Sequence, residues 1–516
     1  MKRNLKNSCI VLLGFLLACN LLSCNNIFSF KKTTQVSFNL NIQGLQAAQQ
    51  NQSGALNNRA AGGDISQVII SLYQVTDSAS ISENQQLDTS KLKLLESITP
   101  PVTSEGKVHA TFNEVTVGIT AVIFVEIYET DPADASQNLA YKGNSSVFTV
   151  QEGENTVEIE LKKIISTLEK LTNILTTTTG EPIYIAGNFD ISATLNITNP
   201  TTLIAVAPTT FTRTKDCTDA LFTYNADFTL QGSSNARITI NGNNIQAAAP
   251  AIKTKSDTTT ANLTVTYCNF ENNINTGTDG GAVFVDTTEE VYFSASNCNF
   301  TDNKVTRNKT LAGGAVAINA AKSISSFINC IFESNTAENN GGGALYISGS
   351  STNNYSHTIA NSTFRKNSTN LSSSNSGGAI YLSQGVLKLN TVTMEENKHY
   401  YNENEPSQYS SSDIFIFRNY TNVTLCGTII INSLVDNFGS GTNNPVIKLE
   451  NFSTESQIGV LCTAGTGASV DDGDPLITLN DAEKLSQEQI ACFTSIVDSN
   501  GKQYTLNANG TITAKN

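Results

Sequence analysis

The chain has 516 residues, a formal net charge of −14 and only 15% charged residues. This length exceeds what one hydrophobic core usually organises, so several structural units are expected. Asn, Ser, Thr and Gly crowd the second half, and these residues favour turns and β-structure over helices. Because the acidic balance repels phosphate and the sequence has no basic stripe, nucleic acid is not a predicted partner. The composition indicates an all-β protein and argues against an ordinary helical enzyme.

The first residues form a targeting pattern. A basic segment at residues 2–6 precedes an apolar run at residues 10–18. A run of this length is too short to cross a bilayer as a permanent helix, and it is typical of a secretory signal peptide. The sequence therefore predicts a signal peptide at residues 1–23 and a tether at residues 24–35.

The end of this leader resembles the lipobox of bacterial lipoproteins. In Leu21-Leu22-Ser23-Cys24 an apolar residue stands three positions before the cysteine, and a small residue stands directly before it. The resemblance implies lipidation of Cys24 and attachment to the membrane through the N-terminal lipid. A second box ending at Cys19 fits nearly as well, but polar residues begin only after Cys24, which favours the later site. A secreted protein with an incidental cysteine is the remaining alternative.

Residues 36–163 alternate between apolar and polar side chains, as in the run Ile119, Ala121, Ile123. Alternation with a period of two is typical of half-buried antiparallel strands. Several such strands, separated by turn residues within one domain-sized segment, predict a β-sandwich. We expect this domain to be a spacer, with a flexible loop at residues 43–63.

A short amphipathic helix is predicted at residues 164–180. Ser166 and Glu169 fit a capping box, and Leu171 and Leu175 follow at helical spacing. Because the segment directly precedes a set of repeats, the helix is expected to cover the open first coil as an N-terminal cap.

Two short motifs recur through the second half with a common period of 30 to 32 residues. The first places an aromatic residue three positions before an asparagine, and the second is a glycine pair followed by Ala and a branched apolar residue. Their members are Phe270, Asn273, Gly280, Gly281, Phe300, Asn303, Gly313, Gly314, Phe332, Asn335, Gly342, Gly343, Phe364, Asn367, Gly377 and Gly378. A weaker copy of the first motif ends at Asn397, and Ser412-Asp413-Ile414 is a degenerate copy of the second.

A fixed period built from short strand patterns predicts a β-solenoid in which each repeat forms one coil. Equivalent residues then stack about 4.8 Å apart and must suit a neighbour of their own kind. Phenylalanines would stack on phenylalanines, and asparagine amides would bond to one another while their backbone bends at a corner. The glycine pairs would form the other corner. We predict this solenoid at residues 181–440 and a C-terminal cap at residues 441–516.

The two motifs together resemble the repeats of the chlamydial type of polymorphic outer-membrane protein, which are recognised by FxxN and GGA[ILV]. The resemblance covers about residues 262–430. It implies a right-handed, single-stranded parallel β-helix of the pectate-lyase-like superfamily and a role as a surface adhesin or antigen. That family ends in a membrane β-barrel, and too few residues follow Ile431 for one. The lipid anchor is expected to replace the barrel.

Cysteine spacing gives no sign of a metal site. Seven cysteines lie beyond the leader, an odd number, so at least one is unpaired. Cys268, Cys298 and Cys330 fall in one column, where either a buried thiol ladder or a disulfide between adjacent coils would fit. The sequence lacks CxxC and its three histidines lie far apart, so we predict no metal and no cofactor.

Parallel β-helices also carry polysaccharide lyases and glycoside hydrolases. Their sites need converging carboxylates, or Asp-bound calcium, on adjacent coils. Here Asp279 and Asp286 have no carboxylate at matching positions in other coils, and the chain has no Trp to stack sugars. We therefore expect no catalysis. The polar stretch 399–409 is the longest excursion between columns, and we expect a loop there whose removal would spare folding.

These observations predict a lipid-anchored protein of the cell envelope, exposed at the surface of the outer membrane. The β-helix would serve adhesion, with a host or neighbouring-cell surface protein or glycan as partner. A polysaccharide lyase or glycoside hydrolase and a passive surface antigen are the two alternative functions.

Overall fold

A computed structural model describes much of the chain beyond the leader. The described residues are 33–41, 65–76, 92–102, 107–130, 137–153, 155, 157, 159–177, 180–255, 260–306, 312–338, 341–349, 355–370, 376–400, 409–411, 413–416, 421–438, 446–464, 474, 476–478, 484–498 and 501–515. The predicted signal peptide, Cys24, most of the tether and the loop at residues 43–63 lie outside them.

The chain divides into two compact units, Met1–Lys163 and Ile164–Asn516. The strands that lie or begin in the first unit are Thr33–Asn41, Ile65–Val75, Leu92–Ile98, Lys107–Thr116, Thr120–Thr130, Gln137–Ser145, Phe148–Thr149 and Ile159–Ile165. All pairing among the described residues of this unit is antiparallel.

The strands of the first unit form two sheets with one shared core. Thr33–Asn41 pairs with Lys107–Thr116, and the other strands form a second sheet around Thr120–Thr130. Val36 on the pair and Val125 on the larger sheet are both fully buried in one apolar cluster. The period-two alternation therefore points one set of side chains from each sheet into a common interior.

The second unit contains the helix Leu168–Thr177. Its N-cap is Thr167, whose Oγ1 accepts a backbone N–H of the first turn at 3.4 Å. This is one residue later than the capping residue Ser166 expected from the sequence, because either hydroxyl can satisfy a first-turn donor. Leu171 and Leu175 are buried in the apolar cluster of this unit.

Beyond this helix the chain forms a parallel β-solenoid of about seven turns, which confirms the predicted all-β solenoid. The turns contribute to three long parallel ladders, here called faces A, B and C, and to a shorter ladder D. Less regular rungs extend the ladders at both ends. Strands that turn a corner and serve more than one face are Ile183–Ile191, Thr201–Arg213, Ser356–Arg365, Ile380–Glu395, Thr421–Phe438, Gln457–Ala464 and Phe493–Asp498.

The remaining strands each belong to one ladder. Those of face A are Phe228–Gln231, Leu263–Thr266, Val291–Ser296, Ser323–Ile328, Val446–Phe452 and Ile477–Thr478. Those of face B are Ile238–Asn241, Cys268–Glu271, Asn299–Thr301 and Ile331–Glu333. Those of face C are Leu195–Ile197, Phe222–Tyr224, Ile252–Thr254, Val283–Thr287, Val316–Ala320, Leu345–Ser348 and Ile414–Ile416. Those of ladder D are Gln246–Ala247, Ile274–Asn275, Lys304–Val305, Thr336–Ala337, Ser368–Asn370 and Lys398–Tyr400. Ala312–Gly313 pairs separately with Gly341–Gly342.

Parallel pairing continues past residue 440, where the sequence analysis placed the end of the β-helix. Val446–Phe452 and Ile477–Thr478 extend face A, and Phe493–Asp498 pairs with Gln457–Ala464. The two motifs are absent from these coils, yet alternating apolar residues still fill their interior. The predicted boundary followed the motifs, whereas pairing requires only a strand that can bury one face.

The last described residues form an antiparallel hairpin, Tyr504–Leu506 with Ile512–Ala514. Tyr504 and Ile512 are buried in the same cluster as the solenoid core. A short helix, Gln487–Ala491, precedes the hairpin and has a complete capping box at Ser486. The hairpin therefore packs against the solenoid interior within this unit.

The solenoid turns its corners with residues in the left-handed backbone region. At the corners from face A to B and from face B to ladder D, φ lies between 49° and 55° at Tyr267, Asn272, Asn297, Asp302, Asn329, Ser334, Asn361, Lys366, Thr391 and Glu396. The repeat asparagines were expected to make this bend. At the second corner the bend falls one residue earlier, which leaves the repeat asparagine free to point inward.

Candidate functional surface

The repeat phenylalanines form one continuous stack inside face B. Phe270, Phe300, Phe332 and Phe364 are fully buried. Successive ring centroids lie 4.8, 4.7 and 4.5 Å apart, with planes 3° to 4° from parallel. Met394 continues the column in the next coil. This spacing equals that of neighbouring strands, so the backbone ladder itself sets the ring geometry.

The repeat asparagines form a buried amide ladder beside this stack. Each Nδ2 donates to the Oδ1 of the next asparagine, from Asn273 to Asn397, at 2.8 to 3.0 Å. Each Nδ2 also donates to a carbonyl of the preceding coil, and each accepting Oδ1 also receives a backbone N–H. The ladder ends where Asn397 donates to the buried carboxylate of Asp413 at 2.9 Å.

The glycine pairs allow adjacent coils to approach closely where the chain enters face C. A Cβ on Gly314 would overlap the carbonyl oxygen of Gly343, and a Cβ on Gly343 would overlap that of Gly378. Gly280 adds a left-handed φ of 76°. These positions need glycine because backbone of the next coil occupies the space of a side chain.

The column of Cys268, Cys298 and Cys330 consists of free, buried thiols. The Sγ of Cys298 accepts the backbone N–H of Cys268 at 3.4 Å. Two coils after Cys298, the hydroxyl of Ser362 does the same for the backbone N–H of Cys330, at 3.0 Å. Burial raises the pKa of the Cys268 thiol well above its ordinary value. In this column sulfur therefore acts as a small hydrogen-bond acceptor at a corner.

Two histidines lie inside the coils. His357 is fully buried in face A, and its Nδ1 lies 2.8 Å from the hydroxyl of Ser325. Its Nε2 has no hydrogen-bond partner and lies beside Gly349, whose missing side chain leaves room for the ring. Burial lowers the pKa of His357 to about 4. This histidine is neutral near pH 7.

The excursion at residues 399–409 differs from the loop expected from the sequence. Lys398–Tyr400 pairs antiparallel with Tyr409–Ser411, so described residues at both ends of the excursion form a hairpin. His399 is buried, and its Nδ1 lies 3.0 Å from the hydroxyl of Thr369. A buried side chain thus lies at the start of a stretch that was expected to be a plain loop, because the strands of ladder D are too short to show in the sequence pattern.

The described residues contain no group of three or more His, Cys, Asp or Glu side chains placed to hold a metal ion. Asp279 lies in the turn before face C, and Asp286 lies on face C, where its Oδ1 accepts from Asn319 at 3.0 Å. Within the described part of the chain, neither helix is long and apolar enough to cross a membrane.

The outer surfaces of the three faces differ. On face C the outward column is aromatic but covered, with Phe284, Tyr346, Tyr381 and Phe415 all at most 8% exposed. On face A the outward positions are mostly small and hydroxylated, as at Thr264, Ser294, Ser326 and Thr358, and all four are partly exposed. Face B also exposes outward side chains, such as Ile331 at 37%, so faces A and B both present surface that a partner can reach.

One exposed ring stands on face A. Tyr292 is 46% exposed, in the coil between Asn262 and Ile324. Tyr292 is not among the residues predicted from the sequence, because the repeat motifs mark inward columns only. Its outward position could have been read from the register, since Tyr292 precedes the buried Phe293 by one residue.

Comparison of this chain with protein-family models, with curated proteins and with solved structures finds no match.

Proposed function

We propose that this chain is a lipid-anchored surface protein of the cell envelope, exposed at the outer membrane, that uses its solenoid for adhesive contact and not for catalysis. Cys24 carries the lipid. The first unit is a β-sandwich spacer, the helix Leu168–Thr177 caps the first coil, and the solenoid is a right-handed, single-stranded β-helix with polymorphic outer-membrane protein repeats. The partner is a surface protein or glycan of a host or neighbouring cell.

One observation supports this proposal: the repeat side chains are buried inside the coils, while the outward side chains of faces A and B are exposed to solvent. The phenylalanine stack and the amide ladder are buried, and the asparagine amides hydrogen-bond to one another. The residues that repeat most regularly thus form the interior of the solenoid and stabilise it. Rigid scaffolds that present outward side chains suit binding, whereas catalysis needs converging reactive groups.

The anchor is tested by labelling a bacterial expression host with alkyne-tagged palmitate. We expect the wild-type chain and Cys19→Ser to incorporate the label, and Cys24→Ser to lose it. Label that is lost in Cys19→Ser and kept in Cys24→Ser would move the anchor to the earlier cysteine. The absence of label from all three chains would refute a lipid anchor.

Contact is tested by protease shaving of intact cells and by binding of cells displaying the protein to host-cell monolayers. We expect fragments of the solenoid to be released from intact cells, and displaying cells to bind more than cells without the protein. Release without any gain in binding would make the protein a passive antigen. The absence of release would refute surface exposure.

A further inference from the structure

An outward column at the start of face A combines an exposed aromatic ring with planar hydrogen-bonding groups. Asp227, Asn262, Tyr292 and Ile324 hold equivalent positions in four successive coils, directly before the buried strand positions that pair in parallel. The next outward column along the strands contains Thr229, Thr264, Ser294 and Ser326. Tyr292 thus has Asn262 beside it in one neighbouring coil, the apolar Ile324 in the other, and the hydroxyl column of Ser294 along the strand.

Hydrogen bonds fix Tyr292 at its edge and at its backbone. Its hydroxyl donates to Oε1 of Glu290 at 2.7 Å, and its backbone N–H donates to Oδ1 of Asn262 at 2.9 Å. The backbone N–H of Asn262 in turn donates to Oδ1 of Asp227 at 2.8 Å. Tyr292 is the one exposed aromatic residue among those whose side chains the structure describes. The ring is therefore oriented before any partner arrives, which lowers the entropy cost of binding.

Such a constellation matches the chemistry of a sugar ring. A pyranose has a face of C–H groups, which packs on the π-surface of an aromatic ring, and a rim of hydroxyls, which needs planar acceptors and donors. The carboxylate of Glu290 accepts the hydroxyl of the ring, and that of Asp227 lies two coils away in the same column. The whole chain has a net charge of −14, so an acidic sugar would be repelled. We propose that Tyr292 is the stacking platform of a binding site for an uncharged saccharide, with Glu290, Asn262 and Ser294 at its rim.

A saccharide fits this surface better than a protein does. Stable protein interfaces bury about 800 Å² on each side, with a more apolar core at their centre. Here the hydroxyl column through Ser294 and Ser326 separates Tyr292 from Ile328, the next exposed apolar residue on face A at 39%. The single ring of Tyr292, beside the hydroxyl column, matches the size of one sugar ring. This inference deepens the proposed contact function and rests on it.

The absence of Trp from the chain gives the experiment its reporter. Tyr292→Trp would contain the sole tryptophan, and its emission can be followed during titration with cellotetraose, chitotetraose or mannotetraose. Saturation-transfer NMR with the same three saccharides measures binding to the wild-type protein. We expect at least one to bind the wild type, Tyr292→Trp to bind it with a shift in emission, and Tyr292→Leu to bind it at least tenfold more weakly. Ile328→Ala, on the same face, serves as the control and should bind like the wild type.

Each alternative outcome has one meaning. The platform is refuted if none of the three saccharides binds the wild type, or if Tyr292→Leu binds within twofold of it. Host-cell binding that is lost in Tyr292→Leu but not reduced by the saccharides would show a protein partner, which overturns the saccharide assignment and leaves the contact function standing. Tyr292 lies outside the core, so thermal melting should be the same for all variants.

Discussion

The ring of Phe300 lies 4.7 Å from the ring of Phe332, with the two planes 4° apart. These residues are neighbours because the chain completes one coil between them, and the same relationship holds for each adjacent pair from Phe270 to Phe364. The stability of such an array is approximately the sum of a contribution from each coil and a contribution from each contact between adjacent coils.

Phe332→Ala should lower the free energy of unfolding by about 3 to 5 kcal/mol, because it removes a buried ring that touches rings on both sides. Guanidinium unfolding followed by circular dichroism measures the loss. Ile331→Ala is the matched control: its side chain is 37% exposed in the same strand, and its loss should cost less than about 1 kcal/mol. Equal losses for the two variants would contradict the stacked interior.

Asn335→Ala should cost more than about 3 kcal/mol. The substitution leaves the backbone N–H and Nδ2 of Asn303 and the carbonyl of Phe300 without their bonds, which measure 3.0, 3.0 and 2.8 Å. Asn299→Ala removes a similar amide bond on the outer surface, where water can replace it, and should cost less than about 1 kcal/mol. If the two variants unfold at the same denaturant concentration, the buried ladder contributes nothing beyond a surface bond.

Cys298→Ser should be tolerated, and Cys298→Val should cost about 1 to 3 kcal/mol although it is the more apolar change. Serine can still accept the N–H of Cys268, as Ser362 does for Cys330. Valine fills the space but leaves that donor unpaired. Denaturant unfolding of both variants checks the order, and a more stable valine variant would show that sulfur is only a filler in this column.

His357 should make the protein less stable as the pH falls. Its pKa is about 4 in the folded protein, against about 6.5 in an unfolded chain. Between these values only the unfolded state binds the proton, so the stability present above pH 6.5 is lost on acidification, by up to roughly 3 kcal/mol. Urea unfolding at pH 7 and pH 4.5 measures the loss.

The non-titrating variant His357→Gln separates this effect from the titration of carboxylates. It should lose less stability than the wild type over the same pH interval. His109→Gln, at an exposed position, provides the matched control and should behave like the wild type. A wild-type loss equal to that of His357→Gln would place the acid sensitivity elsewhere.

The solenoid was predictable because residues that stack in adjacent coils also repeat at a fixed interval in the sequence. Phe270 and Phe300 pair between adjacent coils of face B in the structure, and they are also thirty positions apart in equivalent motifs. An inward side chain must match the one above it, so a buried column leaves a periodic trace. The same constraint explains why Asn273 and Asn303 were recognisable as one column.

Features without that constraint escaped prediction. The coils around Ile477 contain neither motif, because an apolar strand alone is enough to continue the ladder. His399 sits in a strand too short to show a period. Tyr292 points outward, where its side chain need not match those of adjacent coils, so no repeat marks it in the sequence. On a solenoid, candidate binding residues therefore lie at outward positions that do not repeat.

The amide ladder has a direction, and its last acceptor determines where the ladder can be lengthened. Every asparagine passes its donor forward, and Asp413 receives the last one. A carboxylate cannot pass a hydrogen on. Gene duplications that lengthen the array can therefore be inserted upstream of Asn397 without disturbing the chain of donors, whereas a copy inserted after Asp413 would have to start a new one. The single aspartate therefore ends the amide ladder, although parallel coils continue beyond it.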